Sequence, residues 1–382
     1  MPTDHPSQIT LAHSPGPGII AIPSGEQHDR ARTALRSTGF AQRDDGTYAF
    51  PLADPVRQSA AVAELVGFAR DHDVSVTLTA RRYLGDIAEH IARRLPGGWS
   101  ARVEIYALPA DQDGLADRLW DAGELAQAIT TTRIPYAAVL TGHRGTDPGL
   151  LVIERPGHNH EYLVGALAPL TGRALTDERN APRCVVVTGE PAHTAHAITE
   201  RLLPVCHQAL HTRRISEVAR ALTRARTAER TWDETVRTRR TSDGTPLDDK
   251  RLDGLEVWFR YQMWDAFQTF LDHGPALTGD NSPASPATVV SGVEAEALDR
   301  LRSALDAGNQ IRHRAPAPPT AEPPSAALAQ RTADAWPAIA TWLLDGHVLI
   351  DHALKATTHQ TPDPATPLPP PPPRDRHRLF PF

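Results

Sequence analysis

Arg183-Cys184-Val185-Val186-Val187-Thr188-Gly189-Glu190-Pro191 divides the chain in two. Three consecutive valines and a threonine are β-branched and suit the half-buried surface of a sheet, so this run predicts a strand. Gly189 ends it, and Pro191 has the fixed φ that the first turn of a helix needs. On the N-terminal side of this junction, strand and helix patterns alternate. From 213 onward the spacing of apolar residues is helical throughout, which makes the junction the last exit from a sheet.

Working back toward the N-terminus, Leu115–Thr130 reads as a helix. Tyr136–Thr141 and Leu150–Glu154 read as strands, and Tyr162–Ala168 fits strand and helix equally. Further upstream, Leu84, Ile87, Ala88, Ile91 and Leu95 recur at helical spacing and stop at Pro96-Gly97-Gly98. Val74–Thr79 alternates with period two and Val103–Leu108 is a second strand. Pro55–Asp71 and Glu26–Thr38 read as helices, the latter ending at Gly39. Asp44-Asp45-Gly46 between Phe40–Arg43 and Thr47–Phe50 is a hairpin signal. Ile9–Ala12 and Gly18–Ile22 are short apolar runs separated by a turn.

Downstream, 213–238, 252–273, 293–312 and 325–357 are helical, joined by Pro-, Ser- and Ala-rich linkers at 274–286 and 314–324. The tail contains Pro369–Pro373. The expected fold is therefore mixed, α/β or α+β. Two small α/β units (9–108 and 115–211) precede a helical region (212–358) and a disordered Pro-rich tail (359–382).

Composition excludes several chemistries. The chain has 382 residues, 40% of them hydrophobic and 23% charged, enough to build a core. Of its 40 basic residues only Lys250 and Lys355 are lysines. Neither belongs to a phosphate-binding loop, and Lys250 in the polar run Pro246–Arg251 and Lys355 near the Pro-rich tail lack the buried setting that a Schiff-base lysine needs. Two cysteines without a CxxC spacing make neither a disulfide framework nor a Cys-rich zinc site. A net charge of −6 gives no global attraction to nucleic acid or anionic lipid. The first residues lack the basic and apolar regions of a secretory signal, and the most apolar stretch, 336–350, is too short to span a bilayer. A cytoplasmic location without membrane attachment is the expectation.

Gly16-Pro17-Gly18-Ile19-Ile20-Ala21 spells a dinucleotide fingerprint, but an apolar strand follows where a helix is required, so a turn is expected. There is no GxSxG elbow, and Cys184 and Cys206 lie in apolar runs as small hydrophobes. Asp71/Asp73 and Asp111/Asp113 sit at element ends, where Asp caps and turns. His158, His160 and Glu161 offer three metal ligands in five residues, and His193 adds a fourth from a helix. Such a set could hold a hydrolytic metal ion, although no HExxH accompanies it. His193/His196 and His207/His211 also pair at helical spacing.

The stretch 201–240 is locally basic, with ten Arg against Glu217, Glu229, Asp233 and Glu234. Ile215, Val218, Leu222, Ala225, Trp232 and Val236 form one apolar stripe, which puts Arg213, Arg220 and Arg224 on the opposite face. A row of guanidinium groups suits phosphate oxygens or a carboxylate-rich partner, while the plainer reading is a solvated face. Trp258, Phe259, Tyr261, Trp264, Phe267 and Phe270 cluster in 13 residues. They are expected in a core, and a stacking platform would require exposed rings. The basic, aromatic end of the tail, Arg374–Phe382, could dock a partner from a polyproline spacer.

Several segments together resemble a family of actinobacterial hypothetical proteins. They are Ala80-Arg81-Arg82-Tyr83-Leu84-Gly85-Asp86, Trp99–Tyr106, Leu119–Leu125, Ile134–Leu140 and Ile153-Glu154-Arg155-Pro156-Gly157-His158. The resemblance covers about 10–240 and implies kinship without an activity. Gly39-Phe40 followed by a hairpin is more loosely similar to short N-terminal modules of mobile-element proteins. The expectation is thus a non-catalytic binding or regulatory protein without a cofactor, contacting an anionic protein or nucleic acid through Arg213, Arg220 and Arg224. The alternatives are a metal-dependent hydrolase built on His158, His160, Glu161 and His193, and a scaffold that docks a partner through its tail.

Overall fold

A computed structural model describes residues 7–50, 55–143, 148–168, 181–278, 292–314 and 326–360. It divides into two compact units, Met1–Leu210 and His211–Phe382. The first carries two sheets and the second is helical, as the sequence pattern predicts.

In the first unit, β1 (Ser7–Ser14) and β2 (Gly18–Ser24) form an antiparallel hairpin in which Ser14 faces Gly18. A strand therefore follows the glycines, and no helix N-terminus is there to meet a pyrophosphate. Helix α1 (His28–Ser37) ends where Gly39 adopts φ +82 and Phe40 N–H returns to Leu35 O at 3.0 Å. The expected second hairpin is β3 (Ala41–Gln42) and β4 (Tyr48–Phe50). Helix α2 (Pro55–Asp71) leads to β5 (Val74–Arg82), which pairs parallel with β1. The first sheet has the order β3-β4-β2-β1-β5.

After α3 (Leu84–Ala92), β6 (Trp99–Ile105) pairs antiparallel with β8 (Tyr136–Gly142), continuing through β9 (Leu150–Glu154) and β10 (Glu161–Leu167) to β11 (Val185–Thr188). The ambiguous segment after Glu161 is therefore a strand. The second sheet has the order β11-β10-β9-β8-β6.

Two expectations need correction. The boundary placed between 108 and 115 does not separate two units. β6 belongs to the second sheet, and α3 packs against β6 and β8. Ile20 and Ile22 of the first sheet share one buried cluster with Leu140, Val152 and Val187 of the second. The sheets close on each other because neither buries its apolar face alone. The single helix expected over Leu115–Thr130 is two helices, α4 (Pro109–Arg118) and α5 (Glu124–Thr131), with β7 (Leu119–Trp120) between them. The Asp121 carboxylate interrupts the run: it accepts from Gly123 N (2.9 Å), Ala126 N (3.1 Å) and Cys184 N, tying the break to the start of β11.

Helix α6 (Pro191–Ala197) and one π-turn (Ile198–Leu202) lead into α7 (Leu203–Thr238). The second unit holds α7 from His211, then α8 (Asp249–Leu277), α9 (Gly292–Arg314) and α10 (Ala326–Gln360). Phe267, Phe270 and Trp342, all fully buried, centre its core, and Phe270 stacks on Trp342 at 5.4 Å. Helix α8 runs past the expected linker start at Gly274, and α10 takes in residues 359 and 360. The rest of the expected tail, 361–382, lies outside the described residues, as do 279–286 and 315–324 of the linkers. Among the described residues, no helix is long and apolar enough to cross a membrane.

Candidate functional site

The basic helix is where sequence and structure meet most informatively. Ile215, Val218, Leu222 and Ala225 are buried as the stripe requires, but Trp232 is half-buried and Val236 is 45% exposed. The opposite face is not the one expected. Arg213 is half-buried, and its Nη1 is shielded from solvent without a hydrogen-bond partner. Burial pushes the neighbouring Arg214 guanidinium below its ordinary pKa. His273, near the end of α8, feels the charges of both arginines. Helical phase placed Arg213 with Arg220 correctly, but phase says nothing of what packs beside that turn. Arg226 also turns inward, donating through Nε and Nη2 to Leu343 O at 3.0 and 2.6 Å.

What remains outside is well defined. From 218 to 231 the exposed side chains of α7 are Arg220, Thr223, Arg224, Thr227, Arg230 and Thr231. Arg220 pairs with half-buried Glu217 at 3.2 Å. Arg230 lies along the helix, with Nη2 at 3.3 Å from Thr227 Oγ1. At 1.5 Å rise per residue, the three guanidinium-bearing positions are spaced about 6 and 9 Å along the axis. Arg230, which is not among the arginines the sequence pattern singles out, falls within the solvent side that Arg220 and Arg224 define.

The aromatic cluster of α8 splits by burial. Phe259, Trp264, Phe267 and Phe270 are core residues, whereas Trp258 (50%) and Tyr261 (38%) are exposed and stacked at 5.2 Å with planes 17° apart. Trp232 of α7 stacks on Phe259 at 5.3 Å, so the exposed pair lies at the end of the unit that carries Arg230.

The histidine cluster is held differently. His158 and His160 are exposed in the turn between β9 and β10. His158 Nδ1 lies 3.4 Å from Glu161, whose carboxylate is also bonded by Arg155. Arg155 reaches Glu124 as well, and Arg81 binds Glu154 at 2.6 Å and the carbonyl of His158. Tyr136 Oη donates to the other Glu154 oxygen at 2.8 Å. The Ile153–His158 stretch is thus a salt-bridged clasp that fixes a β-turn. His193 stands apart on α6, 83% exposed and 3.9 Å from Glu190, which caps that helix. Among the described residues no three His, Cys, Asp or Glu side chains gather as a metal site. His211 Nε2 is 3.2 Å from Ala353 O.

Neither thiol is activated. Burial, with Asp121 nearby, pushes Cys206 up to about 12, and burial also raises Cys184, whose Sγ accepts from Leu125 N at 3.3 Å. Asp111 caps α4 through Leu108 N at 2.8 Å. Compared with family models, curated proteins and solved structures, the chain finds no match.

Proposed function

We propose that the chain is a non-catalytic, cytoplasmic binding protein for an anionic partner, a single-stranded nucleic acid, held on the outer face of α7. One observation carries the reading: each exposed side chain of α7 between 218 and 231 is an arginine or a threonine. Guanidinium groups bind phosphate oxygens with two parallel donors, and the hydroxyls of Thr227 and Thr231 add neutral polar groups beside them, while Thr223 donates to Ala219 O. The stacked, exposed Trp258–Tyr261 pair supports the single-stranded form, because unpaired bases stack on exposed rings without sequence reading. Arg220, Arg224 and Arg230 replace the expected Arg213, Arg220 and Arg224 as contacts.

Fluorescence anisotropy of a labelled oligothymidylate tests the reading. Three phosphate contacts on a single strand give a log–log salt slope near −2, so a fourfold rise in salt weakens binding roughly 20-fold. The triple variant Arg220→Glu, Arg224→Glu, Arg230→Glu is expected to abolish binding, and Trp258→Ala to weaken it severalfold. Absence of binding at low salt, or a triple variant that binds normally, refutes the reading. Binding of polyglutamate in place of the oligonucleotide would retain an anion-binding face but refute the nucleic-acid assignment.

A further inference from the structure

A second site lies in the first unit. A cavity of about 280 Å³ opens between the β3–β4 turn, the start of α3 and β6, the edge strand of the second sheet. Its walls are fixed by the backbone. Gly46 takes φ +81 to close the turn, and Asp45 Oδ1 accepts from Thr47 N at 3.0 Å. Asp45 Oδ2 accepts from the buried Tyr83 hydroxyl at 3.0 Å. The Tyr83 ring lies against Gly85, where any Cβ would collide with it. The Arg43 guanidinium sits over that ring, 5.6 Å from its centre.

Two hydrogen-bonding valences at this cavity are left over. Arg43 Nη1 and Asp86 Oδ2 are both shielded from solvent and without a partner. An unmade donor or acceptor of a charged group is costly, so two of opposite kind bordering one cavity are unusual. The other charges there are spoken for. Arg102 binds Glu104, Glu89 pairs with Arg93 at 2.8 Å, and Asp45 holds Tyr83 and Thr47. Exposed Asp44 makes no ion pair with a described residue. Arg43 Nη2 lies 3.9 Å from Asp45 Oδ2, so one guanidinium nitrogen, Nη1, and two carboxylates, Asp44 and Asp86, remain.

We infer that this cavity binds a free basic α-amino acid: its carboxylate on Arg43, its α-ammonium on Asp86 and its side-chain cation toward Asp44. The complement of open valences fits: the ligand's one carboxylate meets the unpartnered Nη1 of Arg43, and its two cations meet the carboxylates of Asp86 and Asp44. The volume fits as well, lying just below the ~300–1,000 Å³ of pockets for larger ligands. Side-chain rotation of Arg43 and Asp86 exposes the two atoms as the ligand enters. Neither atom gives up a bond of its own, and the Arg43 side chain gives up only its 3.9 Å contact with Asp45 and its place over the Tyr83 ring.

Isothermal titration of the full chain with L-arginine, agmatine and L-alanine decides the matter. Agmatine lacks the carboxylate and L-alanine lacks the side-chain cation. L-Arginine is expected to bind at least ~tenfold more tightly than either. Arg43→Met should bring L-arginine down to the affinity of agmatine while leaving agmatine unchanged, and Asp86→Asn should weaken both. Arg43→Lys, which keeps the charge, should retain part of the affinity and guards against a variant lost to misfolding. The inference fails if L-arginine gives no heat at about 10 mM, a concentration at which even weak sites fill. It fails equally if agmatine binds as well as L-arginine, or if Arg43→Met and Asp86→Asn bind like the parent chain.

Discussion

Replacing Gly308 by alanine sets two known effects against each other, and the structure decides between them. Gly308 lies inside α9, where alanine is favoured over glycine by about 1 kcal/mol because the unfolded chain loses less freedom on folding. A Cβ at this position would lie 2.7 Å from Leu271 Cδ2 and 2.7 Å from Phe267 Cε1. Carbon atoms in contact prefer about 3.5–4.0 Å, so the neighbours must retreat by close to 1 Å. Leu271 can rotate a methyl group, but Phe267 cannot retreat. It is fully buried, and its ring centre lies 5.7 Å from Phe270, 5.8 Å from Trp342 and 6.2 Å from Trp264. Overpacking of such a core costs about 1–3 kcal/mol, which outweighs the propensity gain and leaves a net loss near 1 kcal/mol. Gly254 of α8 is the matched control: it is exposed, and a Cβ there meets nothing within 4 Å. Gly254→Ala should therefore stabilise by about 0.5–1 kcal/mol. Urea unfolding followed by circular dichroism reads both variants, the first shifting its midpoint down and the second up at unchanged slope. A Gly308→Ala chain as stable as Gly254→Ala would show that α9 does not approach α8 as closely as these distances state.

Two further outcomes follow from titratable groups. Burial holds the His273 imidazole below its ordinary value near 6.5, reinforced by Arg214 and Arg213 and opposed by Asp272 and Glu217. The unfolded chain then binds more protons as pH drops below about 6.5, so stability is full above that pH and is lost as pH falls from there toward the lower folded pKa. Urea midpoints at neutral and mildly acidic pH should fall less for His273→Gln than for the parent chain, and equal losses would refute the assignment. Ellman's reagent should leave Cys206 unreacted in the native protein at mildly alkaline pH, since burial has raised its thiol to about 12, and should modify it on addition of denaturant. Prompt labelling of native Cys206 would contradict its burial.

Local features were legible in the sequence because their causes are local. Gly39 and Gly46 mark backbone that needs positive φ, and the Val185–Thr188 strand declares itself by β-branching. Pairing across long stretches was not. β6 was placed with its sequence neighbours, but its partner β8 begins 31 residues after β6 ends, and alternation along a strand does not name the strand it will join. The break between α4 and α5 depends on Asp121 reaching Cys184 N, a partner 63 residues away. The cavity beside Arg43 is illegible in the sequence for the same reason. Its three walls read separately as a turn, a helix start and an edge strand, and only their meeting makes a site. The histidines misled in the opposite sense: proximity in sequence gave His158, His160 and Glu161 the look of a ligand set, whereas Arg81 and Arg155 had already engaged the carboxylates around them.

The arginines of α7 show why a basic stretch is a poor measure of a basic surface. Arg226 turns its guanidinium inward, giving two donors to the carbonyl of Leu343. Arg213 and Arg214 lie at a partly buried turn, where a cation is tolerated at a cost and cannot be offered to a partner without opening the packing around it. Arg237 and Arg239 are bonded to Glu234 and Asp249. Once these are removed, the solvent face between 218 and 231 owes its character less to the number of arginines than to the burial of everything else: the apolar stripe faces the core, and Glu217 and Glu229 sit half-buried at its margins. Charge selected by burial in this way is positioned by the same packing that folds the unit. An anionic partner would then meet Arg220, Arg224 and Arg230 on a helix held in place by the core, with little ordering left to be done on binding.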